Sequence, residues 1–179
     1  MKGKLAAVAF LTTLGMASSV LAEDGKVDFT GNIIEAGCQV DSSLTSPQTV
    51  KLGDVAKASL ATAGAVAANT TFSLKLTGCP DDLKGKPVTV KYSGTPDTVN
   101  NDYLQLTDAG GADVAEGVAI QLLNGDGSDL PLSTESKAAT IDASAGTATM
   151  KFSAQYVATT ASVKSGKANG TVNFTMTYN

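Results

Sequence analysis

The chain has 179 residues, 42% of them hydrophobic and 17% charged, which is enough apolar material for one globular domain and argues against wholesale disorder. It contains no His and no Trp, and all 13 basic residues are lysine. The commonest general base, the commonest zinc ligand and the bidentate guanidinium grip on phosphate or guanine are therefore missing, and a formal charge of −4 argues further against a nucleic-acid partner.

Residues 1–22 read as a secretory signal peptide. Lys2 and Lys4 form a positive start, Leu5 to Met16 is an apolar run, and Val20-Leu21-Ala22 offers small residues for cleavage. The apolar run is too short for the roughly 20 residues that a membrane span needs, so no membrane insertion is expected. Cleavage after Ala22 removes two lysines and takes the formal charge to −6. Export changes the meaning of Cys38 and Cys79, the two cysteines of the chain. In an oxidising compartment they favour one disulfide; a metal or redox pair would need CxxC spacing or His partners, which are absent. Closing that loop contributes roughly 4 kcal/mol through lost chain entropy.

From residue 27 onward, period-two alternation predicts strands. Val27, Phe29 and Ile33 alternate with Asp28, Thr30 and Asn32. Gly31 sits on the apolar face of that run, where a glycine weakens an ordinary strand; the plain reading is an edge strand with a bulge there. Val50 and Leu52 flank Lys51 in a second short run. Val55 to Ala68 is Ala-rich and broken by Gly64, which predicts a loop with at most one or two helical turns. Further strands are predicted around Phe72–Leu76, Val88–Tyr92, Val118–Leu122 and Met150–Tyr156. In the last segment Gly166, Ala168, Gly170, Val172, Phe174, Met176 and Tyr178 share one parity, so the apolar alternation runs to the penultimate residue. Such a strand needs a partner on its outer side, or is simply the last strand within its own sheet. About seven strands over some 150 residues predict an all-β, antiparallel sandwich.

The chemistry-bearing motifs carry little. Asn124 to Glu135 resembles a calcium loop, but Asp129 stands where that loop needs Gly, Pro131 interrupts it, and the flanks read as strands; a hairpin turn is the better reading. Asp81-Asp82, between Pro80 and Lys84, reads as a surface turn rather than an acid/base pair. Asn69-Thr70-Thr71 fits a glycosylation sequon, a match frequent by chance. Ser and Thr are abundant, yet no His is present to activate one. No enzyme activity, cofactor or metal is expected.

The two ends of the chain together resemble subunits of chaperone–usher fimbriae, most of all the type 1 fimbrial major subunits. The resemblance rests on Gly31 within Val27–Ile33, on Cys38 followed by Cys79, on Gly166 fourteen places from the C-terminus, and on the penultimate Tyr178. It implies an immunoglobulin-like sandwich that lacks its last strand and is completed by a donor strand. Residues 23–36 are then the N-terminal extension that donates Val27, Phe29, Gly31 and Ile33, and residues 37–179 the pilin domain. Gly166, Val172, Phe174, Met176 and Tyr178 mark the strand bordering the acceptor groove. The implied partners are identical subunits, a periplasmic chaperone and an outer-membrane usher, and the implied destination is a cell-surface fimbria. A minor or adaptor subunit is the nearest alternative; a secreted β-sandwich binding protein is a more distant one, and a tip adhesin would be a longer, two-domain chain.

Overall fold

The computed structural model describes residues 27, 30, 31, 33, 34, 36–41 and 48–179. The chain divides into two units, Met1–Ile33 and Ile34–Asn179. Of the first, the expected signal peptide and Phe29 lie outside the described residues; Val27, Thr30, Gly31 and Ile33 belong to no strand. Val27 is 75% exposed and Ile33 is fully exposed.

The second unit is a sandwich of two antiparallel sheets. Its strands are β1 (Gln39–Val40), β2 (Val66–Thr77), β3 (Pro87–Ser93), β4 (Val118–Asn124), β5 (Ala139–Thr140), β6 (Ala148–Ala158) and β7 (Asn173–Tyr178). One sheet has the order β1-β2-β6-β4, the other β5-β3-β7. The registers follow the alternation. Phe72, Leu74 and Leu76 of β2 lie opposite Phe152, Met150 and Ala148 of β6, and Ile120 and Leu122 of β4 lie opposite Tyr156 and Ala154. One face of each sheet thus points into a shared core, where Leu76, Val88, Val90 and Ile141 are fully buried. The free edge of β4 is closed by Leu104, which exchanges both backbone bonds with Ile120 at 2.8 and 2.9 Å. Leu104 itself sits against Gly94, where a side chain would meet it at 2.6 Å.

Cys38 and Cys79 are disulfide-bonded. The bond joins the residue before β1 to the loop after β2, two strands already paired through Gln39 and Thr77. Replacing both cysteines by Ala should remove roughly 4 kcal/mol, a fall of about 10 °C in melting temperature on thermal unfolding of the non-reduced protein. An unchanged melting temperature would mean that the bond constrains nothing.

Three sequence expectations are corrected. Val50–Leu52 forms no strand; the stretch runs along the edge of β2, where the Gln48 side chain donates to Ser73 O at 3.3 Å. The Val55–Ala68 stretch carries the expected short helical piece, one 3₁₀ turn at Lys57–Leu60, but its end is strand, because β2 starts at Val66. β2 bulges between Ala67 and Thr70, with Ala68 at φ 61°, and this irregularity hides the alternation from the sequence. The shared parity of residues 166–178 is not one strand either: the ladder covers only Asn173–Tyr178.

The acidic motifs are structural. Asn124–Ser128 is a tight turn closed by Asn124 N–H donating to Ser128 O and Gly127 N–H donating to Asn124 O. The Asp126 carboxylate accepts from Lys137 and Ser128, which hold its pKa well below the usual carboxylate range. Asp129 accepts from Gln121 and Glu135 from Thr89. Asp81 pairs with Lys84 at 2.7 Å on a 3₁₀ turn, and that lysine lowers its pKa.

Candidate functional site

β7 reads Asn173-Phe-Thr-Met-Thr-Tyr178 and alternates cleanly. On one edge it pairs with β3, placing Phe174, Met176 and Tyr178 opposite Tyr92, Val90 and Val88. On its other edge no strand pairs with it among the described residues. The consequence is visible in burial. On β3, Val88 and Val90 are sealed and Tyr92 is 3% exposed. On β7, facing the same way, Phe174 is 38% exposed and Met176 and Tyr178 are half-buried. A neighbouring strand is what a β-strand uses to finish its burial, and among the described residues none lies on this edge.

Beside the start of β7, and along residues 163–172 that lead into it, runs a groove of about 1300 Å³. Val172 and Phe174 line it from the β7 side, and residues 48–55 from the edge of the other sheet. Its floor is the core itself: Phe72 and Leu74 of β2, Ile120 and Leu122 of β4, Tyr156 of β6, and Leu104. The two sheets are therefore not closed against each other along this line.

Residues 163–172 lead into β7 without regular structure and are pinned from below. Lys164 and Glu116 exchange backbone bonds at 3.0 and 3.2 Å and pair through their side chains at 2.7 Å. Lys167 N–H donates to Asp113 O at 2.7 Å, and Ala115 N–H donates to Lys167 O at 2.9 Å. Gly166 is required by this approach: a Cβ there would stand 2.5 Å from the backbone of Val114 and Ala115. Tyr156 Oη donates to Ala168 O at 3.0 Å; burial first, and then the Asp54 carboxylate, raises its pKa.

Tyr178 lies further along β7, past Phe174, the last β7 residue that lines the groove. Its hydroxyl accepts from the Cys38 N–H at 2.9 Å and reaches Met176 Sδ at 3.6 Å. A side chain at Gly37 would meet that hydroxyl at 2.9 Å, so the glycine makes room for the ring. The strand is fastened further where Asn179 N–H donates to Pro87 O at 3.1 Å.

Of the residues singled out in the sequence, Gly166, Val172 and Phe174 line the groove, and Met176 and Tyr178 continue the same parity along β7. Val27, Gly31 and Ile33 lie in the other unit. Sequence reasoning missed the floor residues and residues 48–55 as parts of a site, since their alternation reads as ordinary core. The assembled feature is apolar and elongated, and one side of it is an unpaired strand edge. Such a surface accepts an extended segment through backbone hydrogen bonds and alternate side chains.

The sequence matches the family described as "Fimbrial protein" over residues 27–179. It is 36% identical to the fimbrial-like protein FimF of Salmonella typhimurium over 171 residues, covering 93% of this chain and 90% of the relative. It is 34% identical to the type-1 fimbrial protein A chain of Escherichia coli K12, covering 46% of this chain and 44% of the relative, so the match spans about half the length of that protein. Among solved structures, a Burkholderia pseudomallei antigen and type I fimbria protein is 36% identical with a TM-score of 0.60, covering 86% of this chain and 97% of that one. The P pilus rod subunit PapA, at 22% identity, shares the fold, with a TM-score of 0.65 over 80% of this chain and 100% of its own. This immunoglobulin-like sandwich with an open apolar groove beside β7 belongs to the fimbrial protein family.

Proposed function

We propose that the chain is a structural subunit of a cell-surface fimbria, polymerised by strand addition. Residues 23–36 of one copy fill the groove beside β7 of the next, with Val27, Phe29 and Ile33 facing the core and Gly31 between them. Before assembly a periplasmic chaperone covers the same groove, and the exchange takes place at an outer-membrane usher. Complementation of pilins by a donated strand is an established form of strand addition. The observation that carries the reading is the contrast between β3, whose apolar face is sealed, and β7, whose apolar face is not.

The energetics fit a fibre. At roughly 1.5–3 kcal/mol per buried side chain, Val27, Phe29 and Ile33 contribute about 5–9 kcal/mol before ordering costs. That rivals the net stability of a whole domain, roughly 5–15 kcal/mol. A copy with an empty groove is then weakly stable, and a polymer of filled grooves durable.

Electron microscopy of the purified assembly tests this directly, with long rods expected. Gly31→Leu should leave each domain folded, because Gly31 is not part of the unit Ile34–Asn179 that forms the sandwich, yet slow or stop elongation by crowding the groove of the next copy. Normal rods from Gly31→Leu would favour an ordinary edge strand and sink the donor role of this segment.

A further inference from the structure

The sequence holds two Asn-Gly pairs, Asn124-Gly125 and Asn169-Gly170. In such a pair the asparagine side-chain amide is open to attack by the next backbone nitrogen, because glycine has no Cβ to stand in the way and its backbone turns freely. The two pairs have opposite surroundings. Asn124 is buried and both ends of its amide are held: Oδ1 accepts from the Lys137 N–H at 2.9 Å, and Nδ2 donates to Ser128 Oγ and Asp129 O, both at 3.2 Å. Asn169 is exposed, and neither its side chain nor the Gly170 N–H makes a hydrogen bond among the described residues. Both residues lie outside any strand, in the segment that lines the groove ahead of β7.

The chain has no length to spare at this point. Asn169 O accepts from the Thr107 N–H at 2.7 Å, and Asn173, opposite Ser93, begins the ladder of β7. Only Gly170, Thr171 and Val172 lie between those two anchors. The Gly170 backbone rests on the floor of the groove: a Cβ there would stand 2.6 Å from Ile120 Cδ1 and 3.1 Å from Leu104 Cδ2.

We propose that Asn169 is a site of spontaneous deamidation, and that the change disables the groove of a copy left open. The Gly170 nitrogen attacks Asn169 Cγ and forms a C–N bond; the side-chain nitrogen leaves as ammonia, taking the proton that Gly170 gives up. Water then opens the five-membered imide at either carbonyl and leaves aspartate or isoaspartate at position 169. Aspartate places a charge at the rim of an apolar groove. Isoaspartate also lengthens the main chain by one methylene. The three residues between the anchors absorb it only by lifting Gly170 off Ile120 and Leu104 or by slipping β7 against β3. Either product weakens the acceptance of a strand. This consequence rests on the strand-addition reading, whereas the chemistry at Asn169 does not. A seated strand covers these residues and restrains the backbone that must turn for attack, so a filled copy is protected. Copies that wait with an open groove lose the ability to accept, and copies already in a fibre keep their bound strand.

The test incubates the full chain, purified as a monomer, in warm and mildly alkaline buffer, with and without a synthetic peptide of residues 23–36. Digestion after lysine separates the two sites, since Asn169 falls in the peptide 168–179 and Asn124 in 92–137. Fragment sequencing by mass spectrometry should place a gain of about 1 Da at Asn169 and none at Asn124. The altered chain should bind the 23–36 peptide about tenfold more weakly than the fresh chain. Asn169→Gln, whose longer side chain does not close the five-membered ring, should hold its own starting affinity throughout the incubation. A chain filled with peptide beforehand should gain the mass several-fold more slowly. No gain at Asn169, or an equal gain at both sites, overturns the modification site. An altered chain that binds as the fresh one does, or an affinity that falls equally in Asn169→Gln, overturns its effect on the groove. Equal rates in open and filled chains overturn the protection. A fresh chain that does not bind the peptide overturns strand addition, while the gain at Asn169, read by mass alone, still decides the chemistry.

Discussion

Fusing residues 23–35 after Asn179, through a short Gly/Asn turn, to a chain that lacks them at its start is expected to raise the melting temperature by roughly 10–30 °C over the unfused deletion. The supplied strand runs back beside β7, whose outer edge is unpaired among the described residues, and association becomes intramolecular. Val27, Phe29 and Ile33 then cover a surface that now leaves Phe174 38% exposed, a gain of about 5–9 kcal/mol before ordering costs. For a domain of this size each kcal/mol corresponds to about 2–4 °C. The fused chain should also be monomeric, since its groove is occupied and its donor used. Polar replacements at Val27, Phe29 and Ile33 within the fused segment should remove most of the gain. A deletion that is already a stable monomer, and a fusion melting within a few degrees of it, would show that the groove is not an acceptor.

Tyr178→Asp should abolish accumulation of the subunit in the periplasm and its capture by a chaperone. Three supports are lost together: the bond from the Cys38 N–H, the contact with Met176 Sδ, and the ring that Gly37 makes room for. The new carboxylate would stand beside Val88, which is fully buried. Losing the ring and placing a charge there should destabilise the domain by roughly 2–4 kcal/mol. It would also put a charge on the face that a covering strand must meet. Tyr178→Phe keeps the ring and loses only the two hydroxyl contacts, from the Cys38 N–H and to Met176 Sδ, so it should accumulate and be captured close to normally. Immunoblots of periplasmic extracts and co-purification with the chaperone read both variants. Normal accumulation and assembly of Tyr178→Asp would remove this residue from the acceptor surface.

Five of the seven strands among the described residues were legible because parity in a sandwich directly encodes which side chain meets the core. Phe72-Leu74-Leu76, Val88-Val90-Tyr92, Val118-Ile120-Leu122, Met150–Tyr156 and Phe174-Met176-Tyr178 each occupy one face of β2, β3, β4, β6 and β7. β1 and β5 escaped because two residues carry no period. The first third of β2 escaped because a bulge with Ala68 at positive φ shifts the parity midway. The opposite error, extending the final strand back to Gly166, has the same origin. Gly166, Ala168 and Gly170 keep the alternation, but the backbone there bonds to residues 107 and 113–116 instead of to a ladder.

The sequence by itself determined the all-β class, the cysteine pairing and the apolar face of β7, since each depends on residue type and spacing along one chain. Only the tertiary structure decided that this face is left open. Alternation states which side of a strand is apolar, but it carries no record of whether a neighbour lies beside the strand to cover it. The same limit hid Tyr92, which in sequence is one more inward residue of β3 and in the fold is a buried hydroxyl without a hydrogen-bond partner among the described residues. It hid the reason for Gly166 as well: no turn or positive φ demands glycine there, and only the backbone of Val114 and Ala115 passing beneath it does.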